Sequence, residues 1–583
     1  MERTSALGLL ATLLLASSCT SGQIGDPSVP RASGGPTGPG PSPSASPTPT
    51  PSPTMSPPPV DPCQGAPVNV PYVALDRLNG AQILNTERAI FQQPSMTLAL
   101  ESGDTTSITQ LEVEKLGTAA AALVETKGHD RYAPCDVDGA GSDSCADGFI
   151  HAFGEKAFRR PLSAEEVSLL SGVYQRTRAL PDLSPPISFR EAIDVVAQVI
   201  LQSPQHLYKG AIGVNDASLP AGLKRTTGYE RATRLSYALT NSTPDDQLLE
   251  AAKTGALDTV EGLKAAVRRL LDLPGGHAIV RHFGSSYAGI NATVSLPALE
   301  SLPKDSTRFP MDDPALRSAI RTETEALFEK VFYQSGDTFS ALMTSNDAYV
   351  NGPLAQLYGV AGGPSDESTF AWVKLDPSQR AGIFTRAGFL AEFANQRYQS
   401  PIRRGVHLYR DTLCRTVPPP PPNVNTTPPA PSQDGSQALS VRAQTEHQTS
   451  ATFCNSCHGQ FNPLGFAFEH YDAMGAWQTT DTGTTANGSH FTVPVNADVT
   501  ITVSDLAGTI SGGVGFSEKL AESHEARDCM AKQWFKTMMG RAPAVEDTCT
   551  VSQLAKGFST SSELMSLVVD VMTSAPALYV REE

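Results

Sequence analysis

Arg160-Pro161-Leu162-Ser163-Ala164-Glu165-Glu166-Val167 reads as the opening of a helix. Ser163 can accept from the N–H of Glu166, and the Glu166 carboxylate can reach back to the N–H of Ser163. This reciprocal pair satisfies two donors that a first turn otherwise leaves orphaned. Val167, Leu170, Val173 and Tyr174 then recur on one helical face. Working outward, Ala192, Val196, Val199 and Ile200 form a second stripe that stops at Ser203-Pro204. Thr243-Pro244-Asp245-Asp246 predicts a third helix, with Thr243 as cap and Pro244 in its first position. Leu327, Phe328, Val331 and Phe332 mark another helix, and Leu564, Leu567, Val568 and Val571 a last one. Two helix exits echo each other: Ser203-Pro204-Gln205-His206-Leu207-Tyr208 and Ser574-Ala575-Pro576-Ala577-Leu578-Tyr579.

The chain has 583 residues, 40% of them hydrophobic, enough for two to four domains of about 150 residues each. Its formal charge of −16 argues against non-specific binding to nucleic acid, which needs a basic surface. Leu7 to Ala16 is an apolar run too short to span a bilayer, which takes about 20 residues, and it reads as a signal-peptide core. Leu15-Ala16-Ser17-Ser18-Cys19 then resembles a bacterial lipobox, with Cys19 the acylated residue. The alternative is ordinary cleavage that releases a soluble protein. Residues 20–61 are a Pro/Ser/Thr/Gly tract that cannot build a core and is expected to act as an extended tether.

Export permits disulfides. With Cys19 and the pair Cys454 and Cys457 set aside, six of the nine cysteines remain. Cys135–Cys145 and Cys529–Cys549 are the simplest local bridges, which leaves Cys63–Cys414, one of 15 possible connectivities. A proline run, Pro418 to Pro422 with Pro428-Pro429 and Pro431, precedes the Cys454/Cys457 motif. Residues 479–503 alternate in Thr and Val around an Asn487-Gly488 turn signal and predict a short β insertion.

Phe453-Cys454-Asn455-Ser456-Cys457-His458 carries the chemistry. Two thiols three positions apart can each add to one haem vinyl group, and the adjacent His458 can serve as proximal iron ligand. Met474 and His447 are the candidates for a distal ligand. Two other readings of the motif are a plain Cys454–Cys457 disulfide and a zinc site; the latter lacks a second C-x-x-C to complete it. Gly284-Ser285-Ser286-Tyr287-Ala288 fails as a nucleophile elbow, because Ala288 replaces the last glycine. Cys135-Asp136-Val137-Asp138-Gly139 lacks the glutamate that would close a calcium loop.

These motifs, taken in order, resemble a family. Phe158-Arg159-Arg160-Pro161-Leu162-Ser163 is similar to one block of the planctomycete- and myxobacterial-type cytochrome c-like proteins, which are built from serial domains of unknown function. Leu201 to Tyr208, Arg234-Leu235-Ser236-Tyr237-Ala238-Leu239 and Leu354-Ala355-Gln356-Leu357-Tyr358-Gly359 resemble the next. Ser400-Pro401-Ile402-Arg403-Arg404-Gly405, Leu413-Cys414, Cys457-His458 through Asn462-Pro463-Leu464-Gly465-Phe466, and Glu469 to Gly475 resemble the third. Cys529-Met530 and Gly540-Arg541 resemble the last. The resemblance covers about residues 150–580, with a faint match at Arg77 to Arg88. The family usually has Asp where Asn462 stands and commonly Asn at His470, while His447 matches a family histidine.

The expected fold is mainly α: a multi-helical body followed by a small cytochrome c-like haem segment with a short β insertion. The expected division is a signal peptide at 1–19, the tether at 20–61 and a poorly defined region at 62–149. Helical domains follow at 150–215 and 216–395, then the C-x-x-C-H segment at 396–505 and a C-terminal helical domain at 506–583. The functional expectation is an envelope protein, lipid-anchored through Cys19, with one haem c and an unknown redox partner. The alternatives are a haem-dependent oxidase or peroxidase with an extracellular substrate, and a non-redox surface module.

Overall fold

A computed structural model describes residues 63, 65, 67–99, 109–181, 185–293, 297–419, 430–434, 437–484 and 489–582. The signal peptide with Cys19, the tether, Pro420–Pro422, Pro428-Pro429 and the Asn487-Gly488 turn lie outside the described residues. The fold is mainly α and forms two units, one of residues 1–67 and 90–207, the other of 68–89 and 208–583. Among the described residues no helix is long and apolar enough to cross a membrane.

The first unit contains helices Gln110–Glu125, Asp143–Phe158, Ala164–Arg178 and Phe189–Leu201. Three of them begin with capping boxes: Thr109 with Glu112, Ser163 with Glu166, and Ser188 with Glu191. Leu170, Val173 and Tyr174 pack with Ala192, Val196, Val199 and Ile200, so the two predicted stripes share one core. Val167 is only half-buried. Residues 62–149, left undefined by the sequence, supply the helices Gly80–Phe91 and Gln110–Glu125. Cys135 bonds Cys145, and the nearby Asp138 carboxylate pairs with Arg190.

The second unit has one continuous core that runs from Ala232 to Met572. It joins helices Gly228–Thr240, Val260–Leu271, Pro274–Tyr287, Pro314–Tyr333, Thr452–Phe466, His524–Met539 and Leu564–Met572. Trp534 stacks on Phe283 at 3.6 Å between ring centroids, which ties the late helices to the early ones. The segments expected as separate pieces at 216–395, 396–505 and 506–583 therefore bury their apolar stripes against one another. The third predicted helix spans Asp246–Lys253, and Asp245 rather than Thr243 caps it. The Asp245 carboxylate accepts from Leu248 N at 2.8 Å and also takes both guanidinium nitrogens of Arg269, contacts that Thr243 does not make.

The β insertion is two antiparallel pairs, Thr480–Thr484 with His490–Pro494 and Asp498–Ile501 with Gly508–Ser511. The second pair crosses the expected boundary at 505, because Asp498–Ile501 needs Gly508–Ser511 to satisfy its backbone. A third sheet joins Val214–Asn215, Leu223–Arg225 and Tyr579–Arg581.

The two echoing helix exits are held alike. Arg159 donates to the carbonyls of Gln205 and His206 at 2.8 and 3.0 Å, and Arg234 donates to those of Pro576 and Ala577 at 3.1 and 3.0 Å. Each arginine caps carbonyls that a terminating helix leaves unpaired.

Two expected disulfides are corrected. Cys529 bonds Cys414, not Cys549, and so Cys63 does not bond Cys414. Cys529 is buried within helix His524–Met539, where it meets the loop carrying Cys414 rather than the following helix. Cys63 and Cys549 are also disulfide-bonded.

Candidate functional site

The C-x-x-C-H motif occupies the first two turns of helix Thr452–Phe466. Positions three and four apart share a helical face, so Cys454, Cys457 and His458 lie together. Both thiols are free and half-buried, so Cys454 and Cys457 form no disulfide with each other. Phe453, just before them, is 70% exposed.

Close packing fixes this helix. Pro401–His407 crosses it at two glycines: a methyl at Gly465 would press on the Pro401 carbonyl, and one at Gly405 on that of Phe461. Only glycine lets the two backbones approach this closely. Beyond His407 the chain widens into one turn, where Leu413 N bonds Leu408 O at 3.0 Å, and it then reaches the Cys414–Cys529 bridge. On the other side, Tyr409 donates its hydroxyl to Gln460 Oε1 at 2.6 Å.

Buried arginines hold the segment after the helix. Arg404 donates to four carbonyls, those of Leu390, Phe468, Tyr471 and Asp472, at 2.8 to 3.0 Å. Arg380 donates to Thr385 O at 2.6 Å and Gly475 O at 2.7 Å, with its guanidinium over the rings of Tyr358 and Tyr471. Glu469 is 1% exposed. One of its oxygens accepts weakly from Gln399 at 3.4 Å, and the other has no hydrogen-bond partner among the described residues. Burial, with the Asp481 carboxylate alongside, pushes Glu469 up to about 8, so it is protonated at neutral pH.

His458 rests 4.8 Å from the Phe461 ring between centroids, and its Nδ1 lies 3.1 Å from Asn462 Oδ1. Asn462 Nδ2 donates in turn to Thr449 Oγ1 at 3.1 Å. His458 Nε2 makes no hydrogen bond among the described residues. The set thus offers two free thiols and one unengaged imidazole nitrogen on a single rigid face, which fits covalent attachment and axial ligation of a haem. Among the described residues no group of three or more His, Cys, Asp or Glu side chains is placed to hold a metal ion by itself.

The other candidates sit apart in character. Met474 is 1% exposed, in the core, and its backbone N–H is held by Asp472. His447 is exposed at the end of helix Val441–Gln448, two residues before Thr449. His470 is engaged, stacked on Trp477 at 4.6 Å with Nδ1 at 2.9 Å from Gln478 O. Asn462 and Thr449 were not singled out by sequence reasoning as site residues. The available signal was that Asn462 falls four residues after His458 on one helix.

Four family models match in series. A protein of unknown function (DUF1595) matches residues 145–209, another (DUF1592) residues 226–360, a third (DUF1588) residues 380–481 and a fourth (DUF1585) residues 508–576. The third of these contains the thiols, His458, Asn462 and the buried arginines. No curated protein and no solved structure matches the chain.

Proposed function

The chain belongs to the cytochrome c-like proteins built from serial domains of unknown function, and on that premise we propose that it is an exported one-haem redox protein. One observation carries the reading: the free thiols of Cys454 and Cys457 share a helical face with a His458 whose Nδ1 is occupied and whose Nε2 is not. In this reading Cys454 and Cys457 would hold the cofactor as thioethers, each S–H adding across a vinyl C=C with no atom lost. His458 would offer Nε2 to the iron, since its Nδ1 is taken up by Asn462. Met474, packed in the core, and His447, exposed, are the two side chains that could complete the coordination. A haem so held supplies one-electron chemistry.

The exposed Phe453 beside half-exposed thiols supports electron transfer at a surface over chemistry in an enclosed substrate cavity. The partner is then another redox protein. The sequence of residues 7–19 supports export and lipid anchoring through Cys19, with the tract 20–61 as spacer from the bacterial envelope.

The test is a pyridine haemochrome spectrum, with intact-mass analysis, of the full chain made alongside a cytochrome c maturation system. A c-type band and the added mass of one haem are expected. Their absence under those conditions refutes the proposal.

A further inference from the structure

The hydrogen bonds around His458 run in one direction, and that direction can be read from its far end. Thr449 Oγ1 lies 2.8 Å from Thr445 O, a carbonyl that can only accept, so the hydroxyl proton goes there. Thr449 Oγ1 therefore has only lone pairs to offer Asn462. The Asn462 atom facing it at 3.1 Å must be the amide NH2. The other end of the same planar amide is then its carbonyl oxygen, and that oxygen faces His458 Nδ1 at 3.1 Å. Nδ1 must carry the proton. In a neutral imidazole only one nitrogen does, so Nε2 keeps its lone pair.

We propose that Asn462, locked by Thr449, is a positioning residue that sets both the tautomer of His458 and the strength of the axial ligand. This inference rests on the reading of His458 as the haem ligand. Thr445, Thr449 and Asn462 are all buried, so the relay is shielded from water that could offer Asn462 another partner. An amide accepts more weakly from Nδ1–H than a carboxylate does. The partner of a ligating imidazole fixes its ring orientation and tunes its basicity. The amide keeps His458 a neutral ligand with little imidazolate character, which favours the reduced state relative to a carboxylate at the same place.

The experiment uses the full chain. In haem-free protein labelled with 15N-histidine, the His458 signal, assigned by its loss in His458→Gln, reports the tautomer directly. Wild type should show protonated Nδ1. Thr449→Val, which removes the acceptor and frees the amide to turn, should show a loss of that bias. In haem-loaded protein, Asn462→Asp should lower the midpoint potential and Asn462→Leu should change it in the opposite sense, with covalent haem retained by mass in both. If haem is attached but the potential of every variant equals that of wild type, or if wild-type His458 carries its proton on Nε2, the inference is overturned while the haem reading stands. If wild type attaches no haem, the reading itself fails and takes the inference with it. Should Asn462→Leu fail to fold, the near-isosteric Thr449→Val and Asn462→Asp still decide the matter.

Discussion

Substituting Gly465 by alanine tests the packing that presents the thiols. An alanine Cβ there would fall on the Pro401 carbonyl, within 2.7 Å of its carbon and 3.0 Å of Gly405 N, all of it backbone that no rotamer change can move aside. The Pro401 oxygen lies only 1.9 Å from that Cβ, so the two helices must separate by more than about 1 Å to restore ordinary contact. Overpacking of this kind costs about 1–3 kcal/mol. Alanine in a helix returns up to about 1 kcal/mol relative to glycine. A 1.9 Å approach to backbone puts the cost at the upper end of the overpacking range, so the net expectation is a loss of about 2 kcal/mol. Gly557→Ala is the control: it is also helical, but a methyl there meets nothing within 4 Å, so stability should rise by up to about 1 kcal/mol. Urea unfolding followed by tryptophan fluorescence suits the comparison. All three tryptophans, Trp372, Trp477 and Trp534, lie in the unit that contains both glycines. If Gly465→Ala is as stable as wild type or rises with Gly557→Ala, the close helix crossing is not what holds the motif.

Cys457→Ala should abolish covalent haem, read by intact mass, while circular dichroism shows the helical content unchanged. Arg404→Met removes four buried hydrogen bonds and should cost on the order of 4 kcal/mol in urea unfolding, far beyond an exposed arginine such as Arg397. Glu469 keeps a proton in the fold that the unfolded chain gives up near 4.5. Its contribution is therefore intact below about pH 4.5 and lost as pH rises through about 8. Glu469→Gln should flatten that decline, so the urea midpoint of the variant falls less than that of wild type between pH 6 and 9. Reducing Cys414–Cys529, which closes a separation of 115 residues, should lower stability by about 4–5 kcal/mol in the chain-entropy account, measured as a shift in urea midpoint with and without reductant.

What could be read from the sequence was mostly local. The Ser163/Glu166 box needs only neighbours, and the same S/T-x-x-E signal at Thr109, Ser188 and Thr227 marks three more helix starts that the sequence reading passed over. The apolar stripes at 192–200, 327–332 and 564–571 are buried as their spacing requires. Asp245 displaced Thr243 as a cap because Arg269, a helix away, rewards the carboxylate, and nothing local announces that. Cys414–Cys529 was illegible for a similar reason: short spacing favoured Cys549, but the partner is chosen by which helix packs beside the loop. The family motif displayed Arg404 and Asn462 as letters. Their acceptors, the carbonyls of Phe468 and Tyr471 and the hydroxyl of Thr449, exist only once the chain has folded back on itself.

The strand Tyr579–Arg581 pairs with Leu223–Arg225, and Arg234 grips the carbonyls just before it. This imposes an order on biogenesis. The sheet of Val214–Asn215, Leu223–Arg225 and Tyr579–Arg581 cannot close until Tyr579–Arg581 has been synthesised, after Cys454 and Cys457. On the proposed reading, the attachment machinery can meet Cys454 and Cys457 before Tyr579–Arg581 has paired with Leu223–Arg225.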